Sequence, residues 1–238
     1  MKLLMPYITA GITPDWTAYL PAFAAAGADY IEVGLPFSDP TLDGTTIQEA
    51  TAVALARGAT LDRILTDLEA ISSPVPLVAS TYANLVIRAG APEFCARLRK
   101  AGFTALIVPD LPLEECAEVA EHIDLVLLAA PATPDARLAE IASRSRHFVY
   151  AVTVMGTTGE RTELSASAAT LAARLKQRTD LPVLLGFGIS TPEQAAAAAG
   201  LADGVVVGAA LMRRILDGAT PDQAGAYVRS LRTAMSGG

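Results

Sequence analysis

The chain of 238 residues has few of the residues that build metal sites and nucleic-acid interfaces. Its two histidines exclude a His-rich metal site and disfavour zinc. The two cysteines, Cys95 and Cys116, fall in segments of helical pattern without metal-ligand spacing, so we expect two small core residues. The 18 Lys and Arg are outnumbered by 25 Asp and Glu, and this net charge of −7 disfavours binding to a nucleic-acid backbone.

Long apolar runs are also missing. No stretch approaches the roughly 20 residues of a membrane span, and the opening segment Met1–Pro6 is too short for a signal peptide. We therefore expect a cytoplasmic protein without a membrane partner. Apolar residues still make up 52% of the chain, enough for one large core. No linker rich in Ser, Gly or Pro divides the sequence, which predicts a single domain over residues 1–238.

Short apolar runs alternate along the chain with Ala-rich segments of helical period. The predicted strands are Leu3–Thr9, Tyr30–Gly34, Pro76–Ser80, Ala105–Val108, Leu125–Ala129, Phe148–Val152, Pro182–Gly186 and Gly204–Val207. The predicted helices are Pro14–Ala26, Thr46–Ala56, Leu61–Ile71, Pro92–Ala101, Leu113–Glu121, Asp135–Ser143, Ser165–Thr179 and Thr191–Ala199. Thr13, Thr133 and Thr191 each precede a proline, a pattern that predicts helix N-caps.

Strands that are apolar on both faces and alternate with helices are typical of a parallel sheet covered by helices. Eight such units predict a closed (β/α)8 barrel, the TIM barrel of the α/β class. A doubly wound open sheet is the alternative. In a barrel, the residues that carry chemistry lie at the carboxyl ends of the strands.

One carboxylate interrupts this apolar pattern. Glu32 lies inside the predicted strand Tyr30–Gly34, and the following loop carries a second carboxylate, Asp43. Burial of an unpaired carboxylate raises its pKa toward the range in which it can both donate and accept protons. The pair therefore predicts an acid–base site at this end of the barrel. A strand-end glutamate held by a salt bridge or by backbone amides is the structural alternative.

Three later segments have the composition of loops around a phosphate. Gly186–Ser190 follows the seventh predicted strand, and Gly208–Ala210 follows the eighth. Small residues there allow backbone N–H groups and a helix N-terminus to face an anion, although glycines also simply permit tight turns. The third segment, Met155–Arg161, has the small polar composition of a loop that closes over a substrate, or of a plain solvated loop.

In this order, the segments resemble the tryptophan synthase alpha subunit family. The matching residues are Pro6–Gly11, Ala26–Gly34, Pro36–Pro40, Asp43-Gly44, Ile47-Gln48, Tyr82–Asn84, Val108–Pro112, Ala130–Pro134, Thr158-Gly159, Gly186–Ser190 and Ala202–Val205. The resemblance spans nearly the whole chain, and the segment from Glu32 to Pro40 is its most specific part. It implies a (β/α)8-barrel lyase that cleaves indole-3-glycerol phosphate to indole and glyceraldehyde 3-phosphate in tryptophan biosynthesis.

The resemblance also implies roles for individual residues. Glu32 matches the family's catalytic acid–base, and Asp43 matches the carboxylate that accepts a hydrogen bond from the indole N–H. Tyr150 and Tyr82 match aromatic residues beside the substrate, and Asp39 matches an aspartate that contacts the partner subunit. The remaining implied contacts are phosphate-binding amides around Gly186, Gly188, Gly208 and Ala209, and a lid that contains Thr158 and Gly159.

The implied partner is a beta subunit, in an alpha2beta2-type complex, that receives indole and carries pyridoxal phosphate; no cofactor is expected in this chain. Ile12, Thr45 and Val154 depart from the family pattern in loops near the partner face or the lid, and Ala209 replaces a serine. The chain also begins almost at the first strand, so we expect a barrel floor that is less protected or covered by an oligomer contact.

These departures leave two alternatives within the family. The chain could be a free-standing lyase that releases indole, or a non-catalytic barrel that activates a beta subunit. Retention of both Glu32 and Asp43 disfavours the second alternative. A sugar-phosphate isomerase barrel would share the phosphate loops but has no need of the segment Pro36–Asp39.

Overall fold

The computed structural model describes residues 2–152, 161–186 and 188–237, with the backbone alone for residues 161–165. In this part of the chain, nine parallel strands form one sheet in the order β5-β4-β3-β2-β1-β9-β8-β7-β6. Their bounds are β1 Leu3–Thr9, β2 Ile31–Gly34, β3 Leu77–Ser80, β4 Phe103–Ile107, β5 Asp124–Leu125, β6 Leu128–Ala129, β7 Val149–Val152, β8 Val183–Gly186 and β9 Gly204–Val207.

Helices cover the outside of this sheet. Their bounds are α1 Tyr19–Ala25, α2 Thr45–Ala56, α3 Leu61–Glu69, α4 Ala83–Ala89, α5 Ala91–Lys100, α6 Cys116–Ala120, α7 Asp135–Arg144, α8 Arg161–Lys176, α9 Pro192–Leu201, α10 Ala209–Leu216 and α11 Pro221–Ser236. Within the described ranges, none of these helices is long and apolar enough to cross a membrane. Cys95 and Cys116 are buried free thiols in α5 and α6, as predicted.

The barrel closes through one interrupted strand. The predicted strand Leu125–Ala129 divides into β5, which pairs with β4, and β6, which pairs with β7. At the break, the N–H of Leu127 leaves the ladder and donates to Ser145 Oγ at 3.0 Å. Because β5 pairs with one edge of the sheet and β6 with the other, these two short segments together act as one strand that joins the edges. The nine segments therefore form the eight-stranded wall of a (β/α)8 barrel, and the predicted fold is confirmed.

Alternation along the strands produces two apolar cores. On β2, Ile31 and Val33 pack outward against the helices, so Glu32 and Gly34 face the barrel interior. The interior contains Met5, Val78, Ala105, Ile107, Val126, Phe148, Leu184 and Val206. Near the amino ends of the strands, the rings of Tyr30 and Phe148 meet edge to face with centroids 5.3 Å apart. This apolar filling leaves the polar interior residues concentrated at the opposite, carboxyl end.

Of the three threonines predicted to be helix N-caps, one is confirmed. Thr191 caps α9 and accepts from the N–H of Gln194 at 3.3 Å. Thr13 caps no helix, because a 3-10 turn at Trp16–Ala18 precedes α1. Thr133 accepts instead from the N–H of Ala130 at 3.0 Å, inside its own loop, and α7 begins at Asp135 without a side-chain cap. Helices α4 and α11 were not predicted, and α10 was expected only as a helix after the eighth strand, without bounds.

Candidate active site

Glu32 occupies the interior of the barrel near the carboxyl end of β2. Its side chain is only 5% exposed. Burial raises the pKa of Glu32 from an ordinary value of 4.5 to about 7; the Ser80 hydroxyl opposes this rise, and Asp43 makes a smaller upward contribution. In the described part of the chain, Glu32 forms no ion pair. A carboxyl group with these properties exchanges a proton readily near neutral pH, as the sequence predicted.

Tyr7 lies beside Glu32 on the neighbouring strand, where the two residues are paired in register. Its hydroxyl fills the space that a side chain on Gly34 would need, since a Cβ built there would lie 1.9 Å from Tyr7 Oη. The hydroxyl of Thr9 donates to Tyr7 Oη at 3.3 Å. Burial raises the pKa of Tyr7, and the charges of Asp43 and Glu32 raise it further. Tyr7 is therefore a neutral hydroxyl of the site, although no sequence pattern predicted a role for it.

Asp43 is held in the loop after β2 by Tyr82, which follows β3 and precedes α4. Tyr82 Oη donates to Asp43 Oδ2 at 2.8 Å and accepts from the N–H of Leu42 at 3.0 Å. Gln48 Nε2 donates to the carbonyl of Asp43 at 2.9 Å. Burial raises the pKa of Asp43, and the bond from Tyr82 opposes that rise. These contacts fix the carboxylate while leaving Asp43 Oδ1 without a protein donor among the described residues.

The Tyr82 ring also forms one wall of a cleft above the buried carboxylate. It stacks on Phe37, with ring centroids 5.2 Å apart and an angle of 29° between the planes. Tyr7, Leu35, Pro40, Asp43, Ser80 and Pro109 complete much of the lining. An aromatic wall beside a fixed carboxylate matches the chemistry of a flat aromatic heterocycle that carries an N–H donor.

Tyr150 approaches the same centre from the opposite side of the barrel. It lies in β7 over Gly186, where a Cβ would fall 2.4 Å from Tyr150 Cε2. Burial raises the pKa of Tyr150 well above its ordinary value, and the charge of Glu32 adds to the rise. The structure thus brings Glu32, Asp43 and Tyr150 together, and it gives Gly186 the additional task of making room for the tyrosine.

The glycines of the predicted phosphate site lie on adjacent strands. Gly186 ends β8 and is paired with Val206, two residues before Gly208. Gly208 is the N-cap of α10, and its carbonyl accepts from Leu211 and Met212. The first amides of a helix, here those of Ala209 and Ala210, have no acceptor within the helix. A Cβ on Gly208 would come no closer than 3.6 Å to Tyr7, so space alone does not require glycine there.

Other predicted residues lie outside this cluster. Asp39 is exposed at the rim and accepts from Ser38 Oγ at 2.6 Å. Gly188 has a positive φ of 34°, in a turn after β8. Thr158 and Gly159 lie outside the described residues.

Comparison with known proteins then decides the family. The family model for the tryptophan synthase alpha chain matches residues 1–235. The chain belongs to this family. It is 44% identical to the tryptophan synthase alpha chain of Chloroflexus aggregans, over 97% of this chain and 91% of that protein. The corresponding protein of a Synechococcus species is 41% identical, over 97% of this chain and 91% of its own length.

Solved structures of the family have the same architecture. The ligand-free tryptophan synthase of M. tuberculosis matches with a TM-score of 0.88 and 36% identity, over 98% of this chain and 93% of that one. The alpha subunit from Legionella pneumophila matches with a TM-score of 0.86 and 31% identity, over 98% and 92% of the two chains. The predicted membership of the tryptophan synthase alpha family is confirmed.

Proposed function

We propose that the chain cleaves indole-3-glycerol phosphate to indole and glyceraldehyde 3-phosphate by acid–base catalysis at Glu32. Membership of the tryptophan synthase alpha family makes it a carbon–carbon lyase of tryptophan biosynthesis. The observation that carries the assignment of Glu32 is its burial in the barrel interior with a pKa of about 7. Both protonation states are then populated near neutral pH, which a group that alternately donates and accepts protons requires.

One carboxyl group is sufficient for both proton transfers of the cleavage. Indole C3 gains a proton, and positive charge develops on the ring. The hydroxyl on the carbon attached to C3 then loses its proton and becomes the aldehyde of glyceraldehyde 3-phosphate. The electron pair of the breaking carbon–carbon bond returns to the ring and restores indole. One proton is consumed and one is released, so a single carboxyl group can serve both transfers.

Asp43 would stabilise the intermediate charge. Its carboxylate is positioned by Tyr82 and Gln48, and a ring between Phe37 and the cleft wall would present its N–H to the remaining oxygen. A fixed negative charge that faces developing positive charge lowers the barrier because it needs no reorganisation during the reaction. Tyr150, as a neutral hydroxyl on the opposite wall, would position the substrate side chain.

The phosphate end of the substrate would lie across Tyr7 from the ring. The strand order β2-β1-β9-β8 places the β1 residue Tyr7 between the Glu32 strand and the glycine loops. Small residues at Gly186, Gly188, Gly208 and Ala209 leave backbone amides and the N-terminus of α10 open to an anion. We propose Thr158 and Gly159 as parts of a lid over this substrate.

We further propose a tryptophan synthase beta subunit as partner, in an alpha2beta2-type complex where pyridoxal phosphate belongs to the beta subunit. Exposed side chains after β2 and β3 support this. Leu42 and Asp39, in the loop after β2, are exposed, Leu42 to 61%, and Ile87, in α4 after β3, is 71% exposed. A partner that covers these apolar side chains would remove them from water, which favours association. The free thiols Cys95 and Cys116 favour a reducing compartment, and we propose the cytoplasm.

The test is an indole-release assay on the purified chain, alone and with a tryptophan synthase beta subunit. Glu32→Gln keeps the size of the side chain and removes its acid–base capacity, so turnover should fall by about 10²–10⁴-fold. Glu118→Gln, in an exposed part of α6, is the matched control and should leave turnover unchanged.

Each competing function has its own outcome in this assay. Near-normal indole release by folded Glu32→Gln protein would show that Glu32 is not the catalytic acid–base. Stimulation by the beta subunit supports the complex, whereas fast release that no beta subunit alters identifies a free-standing lyase. Ile12, one of the departures from the family pattern, is buried in the core at 3% exposure and is not available for direct contact with a partner.

A further inference from the structure

Ser80 is the last residue of β3, next to the strand that carries Glu32. The register pairs Glu32 with Val78 and Gly34 with Ser80. Leu77 and Ala79 pack outward against the helices, and Val78 belongs to the interior core, so alternation also turns Ser80 inward. Ser80 therefore lies diagonally across from Glu32, one layer closer to the cleft.

Gly34 carries no side chain between Ser80 and the site, and the space above this glycine is occupied by the hydroxyl of Tyr7. Neighbours on a diagonal of a sheet are within reach of long side chains, and Ser80 faces a glycine rather than a side chain. The backbone of Ser80 is fixed, since its carbonyl accepts from the N–H of Leu35 at 2.8 Å. Ser80 also lines the cleft. Its hydroxyl is thus placed between the buried carboxyl group and the space for the substrate.

Uncharged groups dominate the surroundings of Glu32. Val78 is apolar, the hydroxyl of Tyr7 lies over Gly34, and the charge acting on Glu32 is that of Asp43, which is repulsive. No arginine or lysine in the described residues pairs with Glu32. Stabilisation of an ionised Glu32 therefore has to come from neutral hydrogen-bond donors.

We propose that Ser80 is a positioning residue of this active site, whose hydroxyl donates to the Glu32 carboxylate, holds it toward the cleft and favours its ionised form. The inference rests on the acid–base function proposed for Glu32. The Ser80 hydroxyl acts on the carboxyl group in the direction this role requires, because it lowers the pKa of Glu32 against the effect of burial. Without this bond, the pKa of Glu32 would rise further, so a smaller fraction of the protein would carry the carboxylate that accepts a proton.

The experiment measures the titration of Glu32 directly. Carbon-13 NMR of protein labelled at the glutamate carboxyl groups follows each group against pH, and the spectrum of Glu32→Gln identifies the signal of Glu32. Ser80→Ala should raise the pKa of Glu32 by roughly 1 pH unit, because a hydrogen bond to a charged group is lost. Ser80→Thr retains a hydroxyl and should restore most of the original titration.

Thr104→Val is the matched control. Thr104 lies on the next strand, β4, and its hydroxyl donates to the carbonyl of Leu77 at 3.1 Å, away from the site. Its removal should leave the Glu32 titration in place. The pH profile of kcat/KM for indole release should move with the NMR titration in Ser80→Ala and not in Thr104→Val.

An unchanged Glu32 titration in folded Ser80→Ala protein would overturn the inference, whether or not the chain releases indole. A shift in Thr104→Val equal to that in Ser80→Ala would also overturn it. If Ser80→Ala shifts the titration but neither it nor the unmodified protein releases indole, the Ser80 bond is supported and the proposed function fails. The two hypotheses are therefore separable.

Discussion

The buried carboxyl group that serves catalysis should destabilise the fold at alkaline pH. Glu32 ionises at about 7 in the folded protein, against 4.5 for an unperturbed glutamate. Below pH 4.5, Glu32 is protonated in both the folded and the unfolded state, so it does not change the free energy of unfolding. Between pH 4.5 and 7, the unfolded state loses its proton first, so stability falls as pH rises. At 1.36 kcal/mol per pH unit, the loss is complete above pH 7 and amounts to about 3 kcal/mol.

Glu32→Gln should recover this free energy, because the amide does not ionise and has nearly the same shape. Urea unfolding at pH 4.5, 6, 7 and 8 would give the difference in unfolding free energy between the two proteins. We expect the gain of Glu32→Gln to increase by about 3 kcal/mol from the lowest to the highest pH. Glu118→Gln in the exposed part of α6 controls for the loss of one negative charge. A gain that does not change with pH, or one matched by the control, would refute the reasoning.

The other two predictions concern neighbours of the carboxylates. Gly186→Ala forces a Cβ to within 2.4 Å of the Tyr150 ring and should cost about 1–3 kcal/mol in urea unfolding, whereas Gly208→Ala makes only ordinary contacts and should cost less. Equal losses would show that Tyr150 does not set the requirement for glycine. Tyr82→Phe removes the 2.8 Å bond to Asp43 and should lower kcat/KM for indole release by roughly 10-fold with stability measured in parallel. An unchanged kcat/KM would mean that Asp43 is positioned without Tyr82.

Much of the fold follows from patterns that are local in the sequence. Apolar strands alternating with helices predict a (β/α)8 barrel because each unit must bury both faces of its strand. The same alternation predicts that Glu32 faces inward between Ile31 and Val33, and its pKa follows from that position. Local signals were also missed: Thr220-Pro221 with Gln223 forms a capping box at the start of α11, the same Thr-Pro pattern that correctly predicted α9.

Contacts between distant segments were decided only by the tertiary structure. The strand break near Leu127 depends on which edges of the sheet meet. The alternation of inward and outward side chains along a strand does not encode which strands become neighbours. Thr133 has the same local pattern as Thr191, but its hydroxyl bonds within its own loop. Tyr7 gains its place because Gly34, on another strand, leaves the space for its hydroxyl.

The sequence by itself determined the repeat of strands and helices, the inward carboxylate of β2 and the family, because each is carried by spacing or by residue identity. The tertiary structure decided which groups act on that carboxylate. Tyr82 reaches Asp43 across 39 positions of the chain, and Tyr150 and Ser80 approach Glu32 from other strands. Proton affinity in a buried site depends on distances of a few ångströms between such groups, and only the closed barrel sets those distances.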